Sequence, residues 1–334
     1  KADPSLLQLK RNDTTIFILI YVDDILVTGN DQEQIQLILQ RLHSAFSLKQ
    51  LGDISLYLGI QVIKTNSGFF LSQSHYAHEL VRNAGMSDCK PAPSPATTKE
   101  PNHRDESPFN DPKLFRKIAG SLQNLSITRP DIAFATNAVC QHMHNPRTCD
   151  HLALKRLIRY IKGSIDFGLP ITYGELTLRS YSDADWAANS KDRKSMSGYC
   201  TFLGPNLLSW SVKKQTTVAR LSTEAEYRSL AAATSDTIWI RRLASDFDIP
   251  INSPTQLYCD NTSTITIANN PIFHARTKHI EIGYHFISDH IHQGNIRVDH
   301  ICTTDQLADI LTKALPINRF HLLRSKLTIR SENG

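Results

Sequence analysis

Between residues 16 and 27 two apolar runs, Ile16-Phe17-Ile18-Leu19-Ile20 and Ile25-Leu26-Val27, enclose Tyr21-Val22-Asp23-Asp24, and Thr28-Gly29-Asn30 then breaks the pattern. Two strand-length runs around a short polar step predict a β-hairpin with both carboxylates at its tip. Asn30 and Glu33 have capping-box spacing, and Ile35, Ile38, Leu39, Leu42 and Phe46 continue as a helical stripe. A strand is expected over 56–62, its hairpin partner over 68–71 and a short helix over 74–83. Pro91, Pro93, Pro95, Pro101, Pro108 and Pro112 exclude a helix or central strand and mark an extended connector. Helices follow over 113–126, 131–144 and 149–162. Pro130 and Asp131 suit the start of the second, because proline tolerates the first turn and an acid answers the positive end of the dipole. In the third, Leu154, Leu157, Ile158 and Ile161 face inward, and Lys155, Arg156, Arg159 and Lys162 fall on the other side.

Glycines between Gly163 and Gly174 punctuate a junction, and a domain boundary is placed there. Beyond it strands are expected over 176–183, 198–203 and 207–212, a helix over 223–247, a strand over 256–260, a helix, a strand over 296–301 and a last helix. Hairpin-linked strands followed by alternating helices and strands predict a mixed sheet with helices on its faces. The fold class is α/β (α+β), with units at 1–90, 91–112, 113–174 and 175–330.

Composition narrows the function classes. The 334 residues are 40% hydrophobic and 21% charged, an ordinary globular balance with enough chain for two cores. The longest apolar run is far short of the roughly 20 residues that span a bilayer, so no membrane partner is expected. The first residue is Lys, which suggests a fragment or processed product. The net charge of +5 is spread over both halves and suits a groove that binds phosphates. Cys89, Cys140, Cys149, Cys200, Cys259 and Cys302 lack paired metal-type spacing and read as reduced thiols of an intracellular protein. His274, His279, His285, His290 and His292 cluster without zinc-ligand spacing and read as surface or phosphate-facing.

Burying unpaired carboxylates costs several kcal/mol, so Asp23 and Asp24 need a cation, a turn into water, or both. Oxygen-only ligands of this kind suit Mg²⁺. Tyr21-Val22-Asp23-Asp24 with its flanks resembles the catalytic hairpin of reverse transcriptases, and residues 2–31 are similar to the Pol polyprotein of copia-type retrotransposons. The segment 122–168, including Thr128-Arg129-Pro130-Asp131-Ile132, resembles the thumb and connection region of those polymerases. The first half is therefore expected to be a partial palm with helical thumb and connection.

Four acids stand out in the second half. Asp183 follows a strand and could be a turn acid. Glu226 lies near a helix start and could complete a capping box with Thr223. Asp260 ends a strand and could cap the next helix, and Asp309 could answer a helix dipole. Together they read differently: acids at strand ends gather where open α/β sheets bind ligands. No cation near them in sequence neutralises the set, so a metal pair is expected to do so. Residues 180–327 resemble the ribonuclease H domain of copia-type elements, through Ser195-Met196-Ser197-Gly198-Tyr199, Leu208-Ser209-Trp210-Ser211, Tyr258-Cys259-Asp260-Asn261, His274-Ala275-Arg276-Thr277-Lys278-His279 and Gln306-Leu307-Ala308-Asp309.

That resemblance implies a ribonuclease H-like domain with a five-stranded mixed sheet and a two-metal site of Asp183, Glu226, Asp260 and Asp309. Asp185 and Glu224 are alternatives that only the family pattern separates from Asp183 and Glu226. The implied reaction hydrolyses the RNA strand of RNA–DNA hybrids with two Mg²⁺ ions, for which Mn²⁺ substitutes. Lys213, Lys214, Arg220, Arg276, Lys278, Arg156 and Arg159 are candidates for holding backbone phosphates. Other nucleic acid and retroelement Pol or Gag products are the implied partners, in a cytoplasmic virus-like particle or the nucleus. Asp3 and Asp13 are the only acids before Tyr21, and neither suits a third polymerase ligand, so Asp23 and Asp24 form an incomplete polymerase site and polymerisation is expected to be lost. The alternatives are a decayed, non-catalytic nucleic-acid-binding remnant, and an integrase-type strand transferase, whose usual order Asp, Asp, Glu differs from that here.

Overall fold

The computed structural model describes residues 2–46, 48–98, 105–188, 191–270 and 281–332. The N-terminal hairpin forms and gains a third strand: β1 (Leu6–Arg11), β2 (Thr14–Tyr21) and β3 (Asp24–Gly29) make an antiparallel sheet in that order. Tyr21 pairs with Asp24, leaving Val22 and Asp23 as the turn. Val22 has φ 49°, a left-handed conformation that β-branched residues rarely adopt, so strain is stored at the tip. α1 (Gln32–Phe46) is capped by Asp31 rather than Asn30. Asp31 Oδ1 accepts from Gln34 N at 3.1 Å, while the Asn30 amide accepts from Thr15 N at 2.8 Å and donates to Asp13 O at 2.7 Å. The strand expected over 56–62 is two, β4 (Leu56–Tyr57) and β5 (Ile60–Thr65), because Leu58 and Gly59 take φ of 50° and 79° and turn the chain back. β6 (Gly68–Ser72) pairs with β5, and α2 (Ser74–Asn83) follows.

The helical region holds α3 (Pro112–Leu125), α4 (Ala133–Cys140) and α5 (Thr148–Lys162). Its middle helix is shorter than expected, with Pro130–Ile132 forming a 3₁₀ turn ahead of α4. Asp131 does more than answer a dipole. Its carboxylate is buried, takes Arg129 Nε and Nη2 at 2.8 Å each, and accepts from the Tyr160 hydroxyl at 2.6 Å.

The stretch read as a junction carries β7 (Phe167–Thr172), which pairs with β6. β13 (Arg330–Ser331) pairs with β7 and completes the antiparallel sheet β13-β7-β6-β5-β4. The expected five-stranded mixed sheet is present. β8 (Leu178–Asp185), β9 (Met196–Leu203) and β10 (Asn206–Lys214) form an antiparallel meander, and β11 (Thr255–Cys259) and β12 (Ile296–His300) add parallel strands, in the order β10-β9-β8-β11-β12. One face packs on α6 (Ser222–Asp246), α7 (Thr262–Asn269) and α8 (Glu281–His292), with Tyr227, Leu230 and Ile238 against Leu257 and Val298. On the other face, Phe115, Leu122 and Leu157 share a core with Phe202, Leu207, Leu311 and Leu323, joining α3 and α5 to the sheet, α9 (Asp309–Thr312) and α10 (Ile317–Lys326). The N-terminal sheet meets the end of α6, with the Phe17 and Phe247 ring centroids 4.7 Å apart. No described helix is long and apolar enough to cross a membrane.

Candidate active site

Parallel pairing puts the first two acids together. Tyr181 of β8 lies beside Tyr258 of β11, so Asp183 and Asp260, each two residues further on, reach the same C-terminal edge. That edge is where open α/β sheets bind ligands. Glu226 comes from the start of α6, which Ser229 Oγ locks to the sheet by donating to Asp183 O at 2.8 Å and Gly198 O at 3.1 Å. Asp309 opens α9, which lies directly over Gly198. A Cβ at that glycine would sit 2.8 Å from both Leu311 Cβ and Thr312 Cγ2, so the missing side chain permits the approach. Gln306 Nε2 donates to Ser182 O at 3.0 Å and ties the preceding loop to β8.

The acids have distinct partners. Asp183 Oδ2 takes a close hydrogen bond from the Thr312 hydroxyl and lies 3.3 Å from Lys313 Nζ. The same ammonium lies 2.8 Å from Asp309 Oδ1, and Arg319 Nη2 is 3.4 Å from Asp309 Oδ2. Asp260 Oδ2 accepts from Thr303 Oγ1 at 2.9 Å. Glu226 Oε2 is buried with no hydrogen-bond partner. Carboxylate oxygens of Glu226 and Asp260 and the Cys259 Sγ lie within 4.8 Å of one another.

Burial pushes the Glu226 carboxyl well above the usual range, and the charges of Asp183 and Asp260 push it further. Asp183 is also raised by burial, against the pull of Lys313 and Thr312. The Cys259 thiol is pushed up by burial and by Glu226, so it stays protonated. What remains is an oxygen donor set with an orphaned carboxylate oxygen, which fits a hard divalent cation.

The neighbouring acids separate in space. Glu224 lies 2.6 Å from Arg228 Nη2 and accepts from Arg220 N at 2.8 Å, one residue before the N-cap Leu221, so it ties down the entry to α6, while Glu226 forms no capping box with Thr223. Asn261, not Asp260, caps α7, accepting from Thr264 N at 3.0 Å. Asp185 ends β8 half-buried, with its carboxyl raised by burial. The expectation that no cation lies near the acids in sequence is corrected by Lys313. It follows Asp309 by four residues, an acid-to-base spacing that local pairing rules could have flagged. Thr303, Thr312 and Arg319 were likewise missed, and nothing in their sequence context marks them.

The candidate phosphate-binding residues scatter. Lys213 on β10 and Arg220 just before α6 are exposed, and Lys214 Nζ lies 2.7 Å from Asp192. Arg156 donates to Ser94 Oγ at 2.9 Å and Arg159 to Lys90 O at 2.7 Å, so this face of α5 clamps the connector. Arg276 and Lys278, with His274 and His279, lie outside the described residues. His300 is exposed at the end of β12. Asp23 and Asp24 are exposed at the hairpin tip, and among the described residues no third acid, His or Cys joins them in a metal-sized group. All six cysteines are free thiols.

A family model described as "Reverse transcriptase (RNA-dependent DNA polymerase)" matches residues 6–98. The retrovirus-related Pol polyprotein from transposon RE2 of Arabidopsis thaliana is 42% identical over 98% of this chain, which spans 23% of that relative's length. An uncharacterized mitochondrial protein of Arabidopsis thaliana is 46% identical over 67% of this chain and 94% of its own length. Among solved structures, that of LC11-RNase H1 in complex with an RNA/DNA hybrid aligns at 15% identity and a TM-score of 0.32, covering 41% of this chain and 94% of that one.

Proposed function

The chain belongs to the Pol polyproteins of copia-type retrotransposons, and from that premise we propose that its four-carboxylate edge is a ribonuclease H site that hydrolyses the RNA strand of RNA–DNA hybrids. What supports this reading is a chain of acids at one sheet edge: Glu226 and Asp260 carboxylate oxygens lie within 4.8 Å of each other, Lys313 joins Asp183 to Asp309, and a buried Glu226 oxygen has no hydrogen-bond partner. These four residues would hold Mg²⁺ ions. A bound pair supplies Lewis-acid activation of the attacking water and neutralises charge on the leaving oxygen. The chain's own part is positional. Thr312 and Thr303 fix the planes of Asp183 and Asp260, as outer hydrogen-bonding groups do around ligating carboxylates. Lys213, Lys214 and Arg220 would meet backbone phosphates and set the register of the duplex without reading sequence. The 2′-hydroxyl is the group by which RNA is chosen over DNA.

With a hybrid labelled on either strand, products carrying 5′-phosphate and 3′-hydroxyl ends are expected from the RNA strand alone. A cut DNA strand beside intact RNA contradicts the reading. For Asp23 and Asp24 we propose no independent polymerase activity, since metal-aligned primer extension needs a fuller carboxylate set than these two supply. No extension of a primer on an RNA template is expected with Mg²⁺ or Mn²⁺, and robust synthesis contradicts this.

A further inference from the structure

We propose that Lys313 is a built-in counter-ion of the carboxylate edge: its ammonium bridges Asp183 and Asp309 while no divalent ion is bound, and swings into solvent when one binds. The inference rests on the metal reading given above. Lys313 Nζ lies 3.3 Å from Asp183 Oδ2 and 2.8 Å from Asp309 Oδ1, so one cation joins acids from β8 and α9. The two acids are almost enclosed, with side chains 3% and 7% exposed, whereas that of Lys313 is 33% exposed. The lysine therefore has an open side toward water, and its flexible stem lets the ammonium leave without moving the backbone. Its backbone is already extended, with φ −144° and ψ 156°, and its N–H bonds back to Asp309 O.

The acids keep other donors when the ammonium departs. Thr312 remains on Asp183 and Arg319 on Asp309, so both carboxylates stay aimed. Lys313 is thus a positioning residue. In the metal-free protein it offsets the mutual repulsion of the two acids and sets the threshold that a metal ion must overcome. A competing internal cation lowers apparent metal affinity by the fraction of molecules in which it holds the acids. If the bridge is closed in nine molecules of ten, removing it should tighten binding about tenfold.

Two measurements on the full chain test this. In the wild-type protein, mass spectrometry follows acetylation of Lys313 with and without saturating Mn²⁺; a several-fold rise on metal addition is expected, and an unchanged or lower rate overturns the inference. Calorimetric Mn²⁺ titration then compares wild type, Lys313→Met and Lys313→Arg. About tenfold tighter binding by the methionine variant is expected, with the arginine variant close to wild type. Equal or weaker binding by Lys313→Met overturns the inference while leaving the metal reading standing. No Mn²⁺ binding by any of the three overturns the metal reading, and the inference falls with it. The labelling arm needs no variant, so a misfolded Lys313→Met protein does not remove the test.

Discussion

Replacing Asp131 with alanine is expected to destabilise the protein by about 3–5 kcal/mol, because it strands a buried guanidinium. Arg129 is 1% exposed, and Asp131 is its one carboxylate partner among the described ion pairs. The network spans distant parts of the chain. Arg129 Nη1 donates to Ser164 O at 2.6 Å, Tyr160 donates to Asp131, and Arg324 of α10 lies 3.2 Å from the Tyr160 hydroxyl. Burial alone would push the Asp131 carboxyl up. The charge and hydrogen bonds of Arg129, with the Tyr160 hydroxyl, outweigh it and hold the group below the usual carboxylate range. An acid lowered in the folded state contributes stability above its unfolded pKa of about 3.9 and loses it as pH falls through the folded value. Urea melts from pH 7 downward should therefore show a loss below about pH 4 in wild type that Asp131→Asn lacks. A cost under about 1 kcal/mol for Asp131→Ala would place this pair among the weak surface bridges instead.

Glu226→Gln is expected to do two opposite things. Hybrid cleavage should fall by at least about 10²–10³-fold, the scale of losing one charge-stabilising group from an active site. Metal-free stability should rise by about 1–3 kcal/mol, because the neutral amide removes the penalty of a buried carboxylate that has one oxygen unsatisfied and faces the charges of Asp183 and Asp260. The sign follows from the raised Glu226 carboxyl. Such a group favours folding fully below its unfolded pKa of about 4.3, and that contribution is lost as pH rises through the folded value. The advantage of the glutamine variant should therefore grow from pH 5 to pH 8 and shrink when Mg²⁺ is added to the wild type. Thermal melts at several pH values measure it. A variant that is less stable at pH 8 without metal would contradict this, and would mean that the Ala184 N–H bond to the Glu226 carboxylate outweighs the cost of its burial.

The two halves differ in what their sequence discloses. Asp23 and Asp24 are legible because two apolar runs point at them, and the turn falls where the runs stop. The mixed sheet is legible for a similar reason: period, turn residues and the order of strands and helices all agree. β7 is not, because its Gly168 and Pro170 imitate a linker. Gly168 is there for a different reason, since a Cβ would lie 2.2 Å from Leu71 O across the sheet. β13 pairs only with Phe167 and Gly168, so the outer edge is open at Pro170, where proline is tolerated. The pairing of Arg330 with Gly168 joins positions too far apart for any local pattern to reveal.

The site shows the same division. Asp183, Asp260, Glu226 and Asp309 can be picked out as acids at element ends, but their nearness depends on parallel register and on the absence of a side chain at Gly198. The separate uses of Glu224 and Glu226 appear only when Arg228 and Arg220 are placed around the first of them. Lys313 was within reach of a spacing rule. Its second partner, Asp183, was not, because that contact crosses from α9 to β8.

The central claim is that Asp183, Glu226, Asp260 and Asp309 form one metal-dependent hydrolytic site. Cleavage of a labelled RNA–DNA hybrid by the wild type and by Asp260→Asn, each with Mg²⁺ and with a chelator, tests it most directly. Cleavage of the RNA strand only by the wild type, and only with metal, is the predicted result. Equal cleavage by both proteins, or none by a folded wild type with Mg²⁺ or Mn²⁺, would contradict it.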